Sequence, residues 1–592
     1  MADLGLSHAH SKKWWKEAVV YQVYPSSFKD TNGDGVGDLP GIIEKLDHIQ
    51  SLGATVIWVC PMYDSPQVDL GYDIRDYEKV YPPYGTMQDM QNLIDSCHAR
   101  GMRIILDLVI NHTSDQHAWF QESRASKASP KRDWYIWRPA RRGPAGERLP
   151  PNNWRSNFGS SVWTWDDASQ EYYLHLFAPE QPDLNWENAE TRRAIYASAM
   201  ESWLRRGVDG FRVDTVNMYS KAPGLPDAPV VNPAQEWQFA AGQFCNGPRM
   251  FEYLDEMNKV MEGYDTMTVG ELPHTPDLGR VLKYVSAAEK KLDMVFQFDV
   301  VDTGFGKDVK YDTTPFNWTL PEFKRRVLRT QSLISGTDAW TTSFLENHDQ
   351  ARSISRFASD VPEHRVQSGK LLCLLSCTLS GTLFVYQGQE IGMVNMSKDW
   401  PMDEYKDIES GNYYREVQAK VAGTPDEASA MAAAKASLQH LARDHARVPM
   451  CWDDSPQGGF STNPATWMRT HHLAGEINVA FQTGDPASVL GFWRKTLRLR
   501  REYADVLVYG DFEIDDIEDP STFVYTKSNG AETALVMLNF TAVHVDAKVP
   551  TRLAGASFQL VASTYEDTGT DDGLGKLRPF EGRFYVAQSG LK

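Results

Sequence analysis

The stretch RIILDLVINH, Arg103–His112, decides the fold. It begins as a short run of β-branched and aliphatic residues and ends in the polar side chains Asp107, Asn111 and His112. Apolar runs of this length are typical of strands covered on both faces, as parallel strands are. In barrels of parallel strands, the carboxyl ends carry the chemistry. The stretch therefore predicts a buried parallel strand with functional groups at its end.

Seven more runs of this kind occur, each followed by a helical pattern. They are Val19–Pro25, Thr55–Val59, Asp209–Asp214, Thr266–Glu271, Met294–Phe298, Thr341–Asn347 and Thr382–Gly388. The helix-like segments include Leu39–Leu52, Thr86–Arg100, Glu190–Arg206 and Phe323–Leu333. Eight strand–helix units predict an α/β fold, namely a closed parallel (β/α)8 barrel of the TIM type.

Two segments depart from this repeat. Residues 113–187 are polar and aromatic and predict a small domain inserted after the third strand. Residues 511–592 show alternating patterns with turn residues between them, which predict a C-terminal antiparallel β domain; the strand-like pieces read FVYTK, TALVMLNF, AKVP, FQLVA and RFYVA. The barrel would comprise residues 1–112 and 188–510, with a helical excursion at about 391–443 after the eighth strand.

Composition narrows the class of function. The 592 residues carry a formal net charge of −19, which disfavours nucleic acid as a partner because phosphate neutralisation supplies most of that affinity. No apolar run approaches the ~20 residues of a membrane span, and the first 17 residues lack the apolar stretch of a secretory signal. Six scattered cysteines do not suggest a disulfide framework. We therefore expect a cytoplasmic protein that binds neither nucleic acid nor membrane.

Polar side chains follow four of the predicted strands. The set comprises Asp107, Asn111, His112, Arg212, Asp214, Glu271, His348 and Asp349. In a parallel barrel these strand ends meet at one mouth. For any single residue a barrel salt bridge or a solvated strand end is an adequate explanation. Neither explanation is adequate for the whole set, because unpaired buried charges are costly.

Two of the carboxyl groups have sequence contexts that favour different protonation states. Arg212 and Asp214 lie two apart on one strand, so their side chains share a face, and the guanidinium should lower the pKa of Asp214. Glu271 ends the next strand and is less well paired, so it should keep its proton. A pair of carboxyl groups with separated pKa values is the requirement for acid-assisted glycosyl transfer.

These residues stand in recognisable motifs. The segments DLVINH (107–112), GFRVD (210–214), VGE (269–271) and ENHD (346–349) are similar to four short signatures of glycoside hydrolase family 13, the α-amylase family. QPDLNW (181–186), WWKEAVVYQVYPSSFKD near the start and ARDHARVPM (442–450) resemble its oligo-1,6-glucosidase and maltase branch. The motifs occur in the family's order, and the similarity runs from about Trp14 into the C-terminal domain.

The resemblance implies a role for each matching residue. Asp214 would be the nucleophile, Glu271 the acid/base and Asp349 the third carboxylate, which orients substrate hydroxyls. The implied substrate-binding residues are His112, Arg212 and His348 around the first glucose, Tyr72 as its stacking platform, Asp69 and Arg443 at the closed end, and Phe177 and Gln181 beside the next sugar. The implied enzyme is a retaining α-glucosidase that removes terminal glucose from maltose and short malto-oligosaccharides, without an organic cofactor.

The residue after the nucleophile bears on linkage. Within this branch, valine there accompanies α-1,6 activity and threonine or alanine accompanies α-1,4 activity. The chain has Thr215, so maltose should be preferred to isomaltose. A single small change in a pocket is worth only about 1–3 kcal/mol, so an α-1,6-active oligo-1,6-glucosidase stays the alternative.

Residues 30–38 resemble the first part of a calcium loop. They read D-x-N-x-D-G-x-x-D, with oxygen ligands available from Asp30, Asn32, Asp34, the carbonyl of Val36, and Asp38. Position 12 of the pattern is Gly41, so the bidentate glutamate is missing. The branch carries a structural Ca²⁺ or Mg²⁺ here, which we therefore expect. The alternative is a turn without an ion.

Two other functions are compatible with the same fold. A sugar-to-sugar transferase of the sucrose isomerase or trehalose synthase type would pass through the same glucosyl-enzyme. A catalytically silent relative, like the heavy subunits of amino-acid transporters, would have lost its catalytic carboxylates and carry a membrane anchor. The carboxylates of this chain disfavour the second of these.

Overall fold

The computed structural model describes residues 11–567 and 574–588. Its central element is an eight-stranded parallel sheet, as the sequence predicts. The strands are β1 Val19–Val23, β2 Val56–Val59, β3 Arg103–Leu108, β4 Gly210–Val213, β5 Met267–Glu271, β6 Met294–Phe296, β7 Thr342–Ser343 and β8 Thr382–Tyr386. Neighbours run in the order β6-β5-β4-β3-β2-β1-β8-β7, so the sheet curls into a barrel whose ends are β6 and β7.

Side chains complete the closure between β6 and β7. The hydroxyl of Thr342 donates to the carbonyl oxygen of Val295 at 3.2 Å, and the hydroxyl of Thr341 donates to Gln297 Oε1 at 3.0 Å. Strand β7 comprises only Thr342–Ser343 and is therefore shorter than the predicted run 341–347. The predicted TIM-type fold is confirmed, and β6, on one side of the seam, pairs with β5.

The strands are apolar on both faces, as their positions require. Val20, Trp58 and Phe296 pack together inside the barrel, whereas Tyr21 and Ile57 belong to the layer between strands and helices. The barrel helices are Leu39–Glu44, Leu46–Leu52, Met87–Ala99, Ala189–Ile195, Ser202–Leu204, Ala241–Phe244, Met250–Met261, Leu278–Val285, Leu320–Ser332, Ser353–Phe357 and Arg365–Thr378. The interior is thus a packed core, which confines function to its ends.

Local chemistry sets several helix boundaries. Thr86 caps Met87–Ala99, since its side chain accepts from Asp89 N while Asp89 accepts from the Thr86 backbone. The helix predicted at 39–52 is interrupted at Lys45, whose backbone leaves the helical region. The helix predicted at 190–206 contains a π-helical turn, Tyr196–Glu201.

The inserted segment after β3 forms its own small sheet. Strands Trp163–Asp166, Glu171–Leu174 and Trp137–Arg138 pair antiparallel in that order, and a helix spans Ala118–Ala125. Trp154–Arg155 pairs with Gln238–Phe239 of the loop after β4. The insertion therefore stands beside the barrel mouth.

The C-terminal domain is a five-stranded antiparallel sheet. Its strands, in spatial order, are Asp511–Ile514, Thr522–Ser528, Glu532–Asn539, Gly582–Gln588 and Gln559–Ser563. The strand prediction for AKVP (547–550) is wrong, because the ladder in that region involves Val545–Asp546. The buried ammonium of Lys324, on a barrel helix, donates to the carbonyls of Asp516, Asp519 and Thr522 and so ties this domain to the barrel. The predicted outer limits at residues 1 and 592 lie outside the described residues.

The segment after β8 closes the barrel mouth from a second side. Its helices are Ile408–Val421, Glu427–Leu441, Asp444–Arg447, Val479–Gln482, Val489–Glu502 and Ala504–Leu507. The predicted excursion therefore becomes α-helical only from Ile408, and the stretch before it, which includes Asp407, contains only a short 3-10 helix, Met402–Glu404. Asn412 Nδ2 donates to the carbonyl oxygen of Phe158, which joins this segment to the insertion.

Candidate active site

A cavity of about 600 Å³ opens at the carboxyl ends of the barrel strands. The predicted site residues that line it are Asp69, Tyr72, His112, Phe177, Asp214, Thr215, Glu271, Asp349 and Arg443. Arg212, His348 and Gln181 lie behind this lining and are at most 1% exposed. The structure thus brings the predicted set together, with three members as buried supports.

Arg212 pairs with three carboxyl groups, including both candidate catalytic ones. Its Nη1 donates to Asp107 Oδ1 at 2.7 Å and to Asp214 Oδ1 at 2.5 Å, and its Nη2 pairs with Glu271 Oε1 at 3.0 Å. The guanidinium lies over the ring of Trp58, which ends the apolar interior of the barrel. One cation therefore orients both Asp214 and Glu271 on the same side of the cavity.

The two catalytic candidates differ in pKa in the expected order. Burial raises the pKa of Glu271 to about 8, against the opposing effect of Arg212 and with a further rise from the Asp214 charge. Burial also raises the pKa of Asp214 to about 6, although Arg212 opposes it. The sequence-based expectation of a lowered pKa for Asp214 is therefore wrong, because desolvation outweighs the guanidinium. Between these values Asp214 is the ionised member and Glu271 the protonated one.

Thr215 connects the two carboxyl groups. Its backbone N–H donates to Glu271 Oε2 at 3.1 Å, and its hydroxyl lies 3.3 Å from Asp214 Oδ2 as a donor. Its φ of +38° is an outlier for a β-branched residue, and such strained residues cluster at functional sites. The strain is sustained by these contacts on either side.

Gly210 is the first residue of β4, and no residue with a side chain would fit in its place. A Cβ built on this residue would lie 1.9 Å from the carbonyl oxygen of Met267 on β5, and its φ is +143°. Only glycine permits strands β4 and β5 to approach this closely. That approach sets the spacing between the strands that end in Asp214 and Glu271.

Tyr72 and His348 form a stacked pair at one wall. Their ring centroids are 5.2 Å apart with an interplanar angle of 5°, and the Tyr72 hydroxyl lies 2.6 Å from His348 Nε2 and 3.1 Å from Asp107 Oδ2. Burial lowers the pKa of His348 to about 3 and that of His112 to about 4, so both imidazoles are neutral near pH 7. They can serve as uncharged hydrogen-bonding groups.

An ion-pair network surrounds Asp349. Its Oδ1 accepts from Arg443 at 3.0 Å and from Arg447 at 2.7 Å, and both arginines also pair with buried Asp407. Burial alone would raise the pKa of Asp349, but His348 and these arginines hold it well below its usual range. Asp349 is therefore a permanent anion at the cavity wall.

Sequence reasoning missed two members of this network, Arg447 and Asp407. Arg447 stands in the quoted segment ARDHARVPM, four residues after Arg443, so the signal for it was present. Asp407 precedes the helix Ile408–Val421 and offers no periodic or motif signal. Its partners lie 36 and 40 residues away in sequence, and only the fold unites them.

Asp69 and Arg443 make a buried wall beside this network. Arg443 Nη2 lies 3.5 Å from Asp69 Oδ1, and the two residues are 6% and 9% exposed. Gln181 Nε2 donates to Asp69 Oδ2 at 3.0 Å and lies 3.1 Å from His112 Nε2, so it braces both from behind. Phe177 does line the cavity, with its ring 5.2 Å from that of His112.

The predicted metal loop lies apart from this cavity. Both Asp30 oxygens accept loop N–H groups, from Gly33 at 2.7 Å and Gly35 at 2.9 Å. The Asp38 carboxylate accepts from Thr31 N and caps the helix Leu39–Glu44 through Gly41 N. Within residues 11–567 and 574–588, no group of three or more His, Cys, Asp or Glu side chains is arranged to hold a metal ion. The bound ion stays a prediction.

Comparison with known proteins identifies close relatives. Residues 22–510 match the model of the α-amylase catalytic domain. The chain is 51% identical to the α-glucosidase of Candida albicans over 97% of its own length and 99% of the relative's. It is 46% identical both to the α-glucosidase MAL12 and to the oligo-1,6-glucosidase IMA2 of Saccharomyces cerevisiae, covering 97–98% of this chain and 98–100% of those.

Solved structures agree with these matches. An isomaltulose synthase variant from Erwinia rhapontici, determined in complex with sucrose, superimposes with a TM-score of 0.90 at 37% identity, over 98% of this chain and 100% of that one. A trehalulose synthase variant superimposes with a TM-score of 0.89 at 38% identity, over 97% of this chain and 100% of that one.

In the described part of the present chain, no helix has the length and apolar character needed to cross a membrane.

Proposed function

The chain belongs to the α-amylase family of glycoside hydrolases, and from this premise we propose that it is a retaining α-glucosidase acting on maltose and short malto-oligosaccharides. One observation carries the proposal. Two carboxyl groups, Asp214 and Glu271, share the guanidinium of Arg212 while their pKa values stand at about 6 and about 8. Such a pair supplies one ionised and one protonated carboxyl at neutral pH, as glycoside hydrolysis requires.

In the first step Asp214 Oδ attacks the anomeric carbon of the terminal glucose. The bond to the glycosidic oxygen breaks, and Glu271 gives that oxygen its proton, so the shortened sugar leaves as a neutral alcohol. In the second step the Glu271 carboxylate takes a proton from water, whose oxygen attacks the same carbon and releases Asp214. Two inversions restore the α configuration.

The buried wall of the cavity favours removal of one glucose at a time. Asp69 and Arg443 line the cavity as an ion pair with few exposed atoms, and Asp349 joins them through Arg443. A terminal glucose would place its outer hydroxyls against these charged groups. A longer chain would have to break the pair to pass beyond it.

Linkage preference is proposed from Thr215. Thr215→Val replaces the hydroxyl near Asp214 by a methyl of equal size, so we expect the ratio of kcat/KM for maltose to that for isomaltose to fall about 10- to 100-fold. Steady-state kinetics on both disaccharides measure this ratio. Thr215→Ser, which keeps the hydroxyl, should retain the maltose preference. An unchanged ratio in the valine variant would refute the assignment.

The overall proposal is tested by rates on maltose, isomaltose, sucrose and p-nitrophenyl α-glucoside. Cleavage of maltose to glucose as the main reaction supports it. Transfer is the second candidate, because the solved relatives include isomaltulose and trehalulose synthases. Trehalose or isomeric disaccharides as the main products at high maltose would establish the transferase instead.

We also propose a structural Ca²⁺ or Mg²⁺ in the loop 30–38, on the strength of its oxygen ligands. Two of them, Asp30 and Asp38, are 2% exposed, although their oxygens already accept loop N–H groups. EDTA should lower Tm by at least about 2 °C, since an ion bound only to the folded state stabilises it. Asp34→Ala should abolish this response. An identical Tm for wild type with and without EDTA contradicts the site.

A cytoplasmic location is likewise proposed. All six cysteines are free and buried, as expected of thiols kept in a reducing compartment. The cysteines at 373 and 377 lie within the buried helix Arg365–Thr378, where they act as apolar core residues. Microscopy of the tagged protein in its own cells tests the location.

A further inference from the structure

The loop after β6 places a carboxylate in the cavity that the proposed chemistry does not use. Asp302 lines the cavity together with Phe305 and Lys310 of the same loop. Its backbone is held in successive turns, since Asp302 N donates to the carbonyl of Phe298 at 2.8 Å and Phe305 N donates to the carbonyl of Asp302 at 3.1 Å. The side chain therefore projects from a fixed position.

The Asp302 carboxylate has neither a hydrogen bond nor an ion pair within residues 11–567 and 574–588. Burial raises its pKa to about 7, and the nearby charges of Arg356, Lys310 and Arg326 oppose this rise. Other cavity carboxylates are paired: Asp349 with Arg443, Asp214 with Arg212, and Glu416 with Arg155. Asp302 thus differs from these three in having acceptor oxygens that are free for a ligand.

The cations near Asp302 pair with, or donate hydrogen bonds to, other groups. Lys310 Nζ lies 3.7 Å from Glu409 Oε2 and donates to the carbonyl of Asp349. Arg326 pairs with Glu322 at 2.8 Å and donates to the carbonyl of Asp299. The third cation, Arg356, donates to Gln350 Oε1 and to the carbonyls of Val301 and Thr303. Their charges favour an anion at 302 without occupying its oxygens.

Asp302 has different charged neighbours from those of Asp214 and Glu271. Its electrostatic neighbours are Arg356, Lys310, Arg326 and Asp299, whereas Asp214 and Glu271 interact with Arg212 and with each other. Aromatic side chains share this lining. Phe239 is 37% exposed, and its ring lies 4.9 Å from that of His274 in an edge-to-face arrangement. Aromatic faces and a free carboxylate in the lining of one cavity suit a sugar ring, which offers C–H faces and hydroxyl donors.

We propose that Asp302 accepts a hydrogen bond from a hydroxyl of the sugar that leaves, and so selects α-glucosides whose aglycone is itself a sugar. This inference rests on the proposed α-glucosidase function and adds a specificity-determining residue to it. A hydroxyl donating to a carboxylate forms a charge-assisted bond, stronger than one between neutral groups. An aryl aglycone without hydroxyl donors gains nothing from Asp302.

The test compares two substrates that share the glucosyl group. Asp302→Ala should raise KM for maltose about tenfold or more, as expected from the loss of a charge-assisted hydrogen bond. The kinetic constants for p-nitrophenyl α-glucoside should stay within about twofold of wild type, because that aglycone cannot donate to a carboxylate. Asp302→Asn, which keeps an acceptor but loses the charge, should have a KM for maltose between those of wild type and Asp302→Ala. Asp95→Asn, the same kind of change at an exposed position of the helix Met87–Ala99 and outside the cavity lining, is the control.

The outcomes separate the two proposals. If Asp302→Ala affects both substrates equally, or neither, the role assigned to Asp302 is wrong. A parallel loss accompanied by a lower Tm would show that Asp302 acts only on the loop structure, which also overturns the inference. If the wild-type protein cleaves neither maltose nor p-nitrophenyl α-glucoside, the α-glucosidase proposal itself is wrong.

Discussion

Asp214→Asn should reduce kcat at least about 10⁴-fold on every α-glucoside tested, including those with activated leaving groups. An amide has nearly the same shape as the carboxylate and can still accept from Arg212, but it cannot form the glycosyl ester. Because an activated leaving group does not replace the missing nucleophile, maltose and p-nitrophenyl α-glucoside should be affected alike. Single-turnover and steady-state kinetics provide the measurement.

Asp95→Asn is a suitable control for this variant. It makes the same substitution on the exposed face of the helix Met87–Ala99, far from the cavity, and should keep wild-type activity. Equal Tm values for the two variants would show that the loss at Asp214 is chemical. Activity of Asp214→Asn close to that of wild type would remove the nucleophile assigned here.

Glu271→Gln should separate substrates by leaving group. The glutamine cannot protonate the glycosidic oxygen, so kcat/KM for maltose should fall about 10²- to 10⁴-fold. The loss in the first step should be much smaller for p-nitrophenyl α-glucoside, whose phenolate leaves without a proton.

For the wild type, kcat/KM should rise through about pH 6 as Asp214 ionises and fall through about pH 8 as Glu271 loses its proton. These two values belong to the coupled pair.

The pH profile of kcat/KM is the most discriminating measurement for Glu271→Gln. In Glu271→Gln the fall near pH 8 should disappear, because the group whose deprotonation ends activity is gone. Glu416→Gln, which changes a cavity carboxylate paired with Arg155, should keep that alkaline fall. An unaltered alkaline limb in Glu271→Gln, or equal losses on both substrates, would assign the acid to another residue.

Much of the fold was accessible from the sequence because barrel strands are apolar throughout and end in polar groups. The run 103–112 and its seven counterparts predicted the parallel sheet, and the polar strand ends predicted that Asp214, Glu271 and Asp349 are neighbours. Boundaries were less accessible. The break at Lys45 and the early end of β7 depend on packing and on the barrel seam, which leave no local pattern.

The electrostatic details required coordinates. A guanidinium two residues from Asp214 predicts a lowered pKa, but the depth of burial reverses the sign, and depth is not encoded in spacing. Asp407 joins Arg443 and Arg447 across long sequence separations. The isolation of Asp302 could be recognised only once the partners of Lys310, Arg326 and Arg356 were known.

The most direct measurement is to trap the glucosyl-enzyme with 5-fluoro-α-glucosyl fluoride and locate the label by peptide mass spectrometry. The fluorine slows hydrolysis of the ester, so the covalent species accumulates. The label is expected on the peptide that contains Asp214, at one fluoroglucosyl group per chain. A label on any other carboxylate, or full reactivity with no covalent species formed, would contradict catalysis through Asp214.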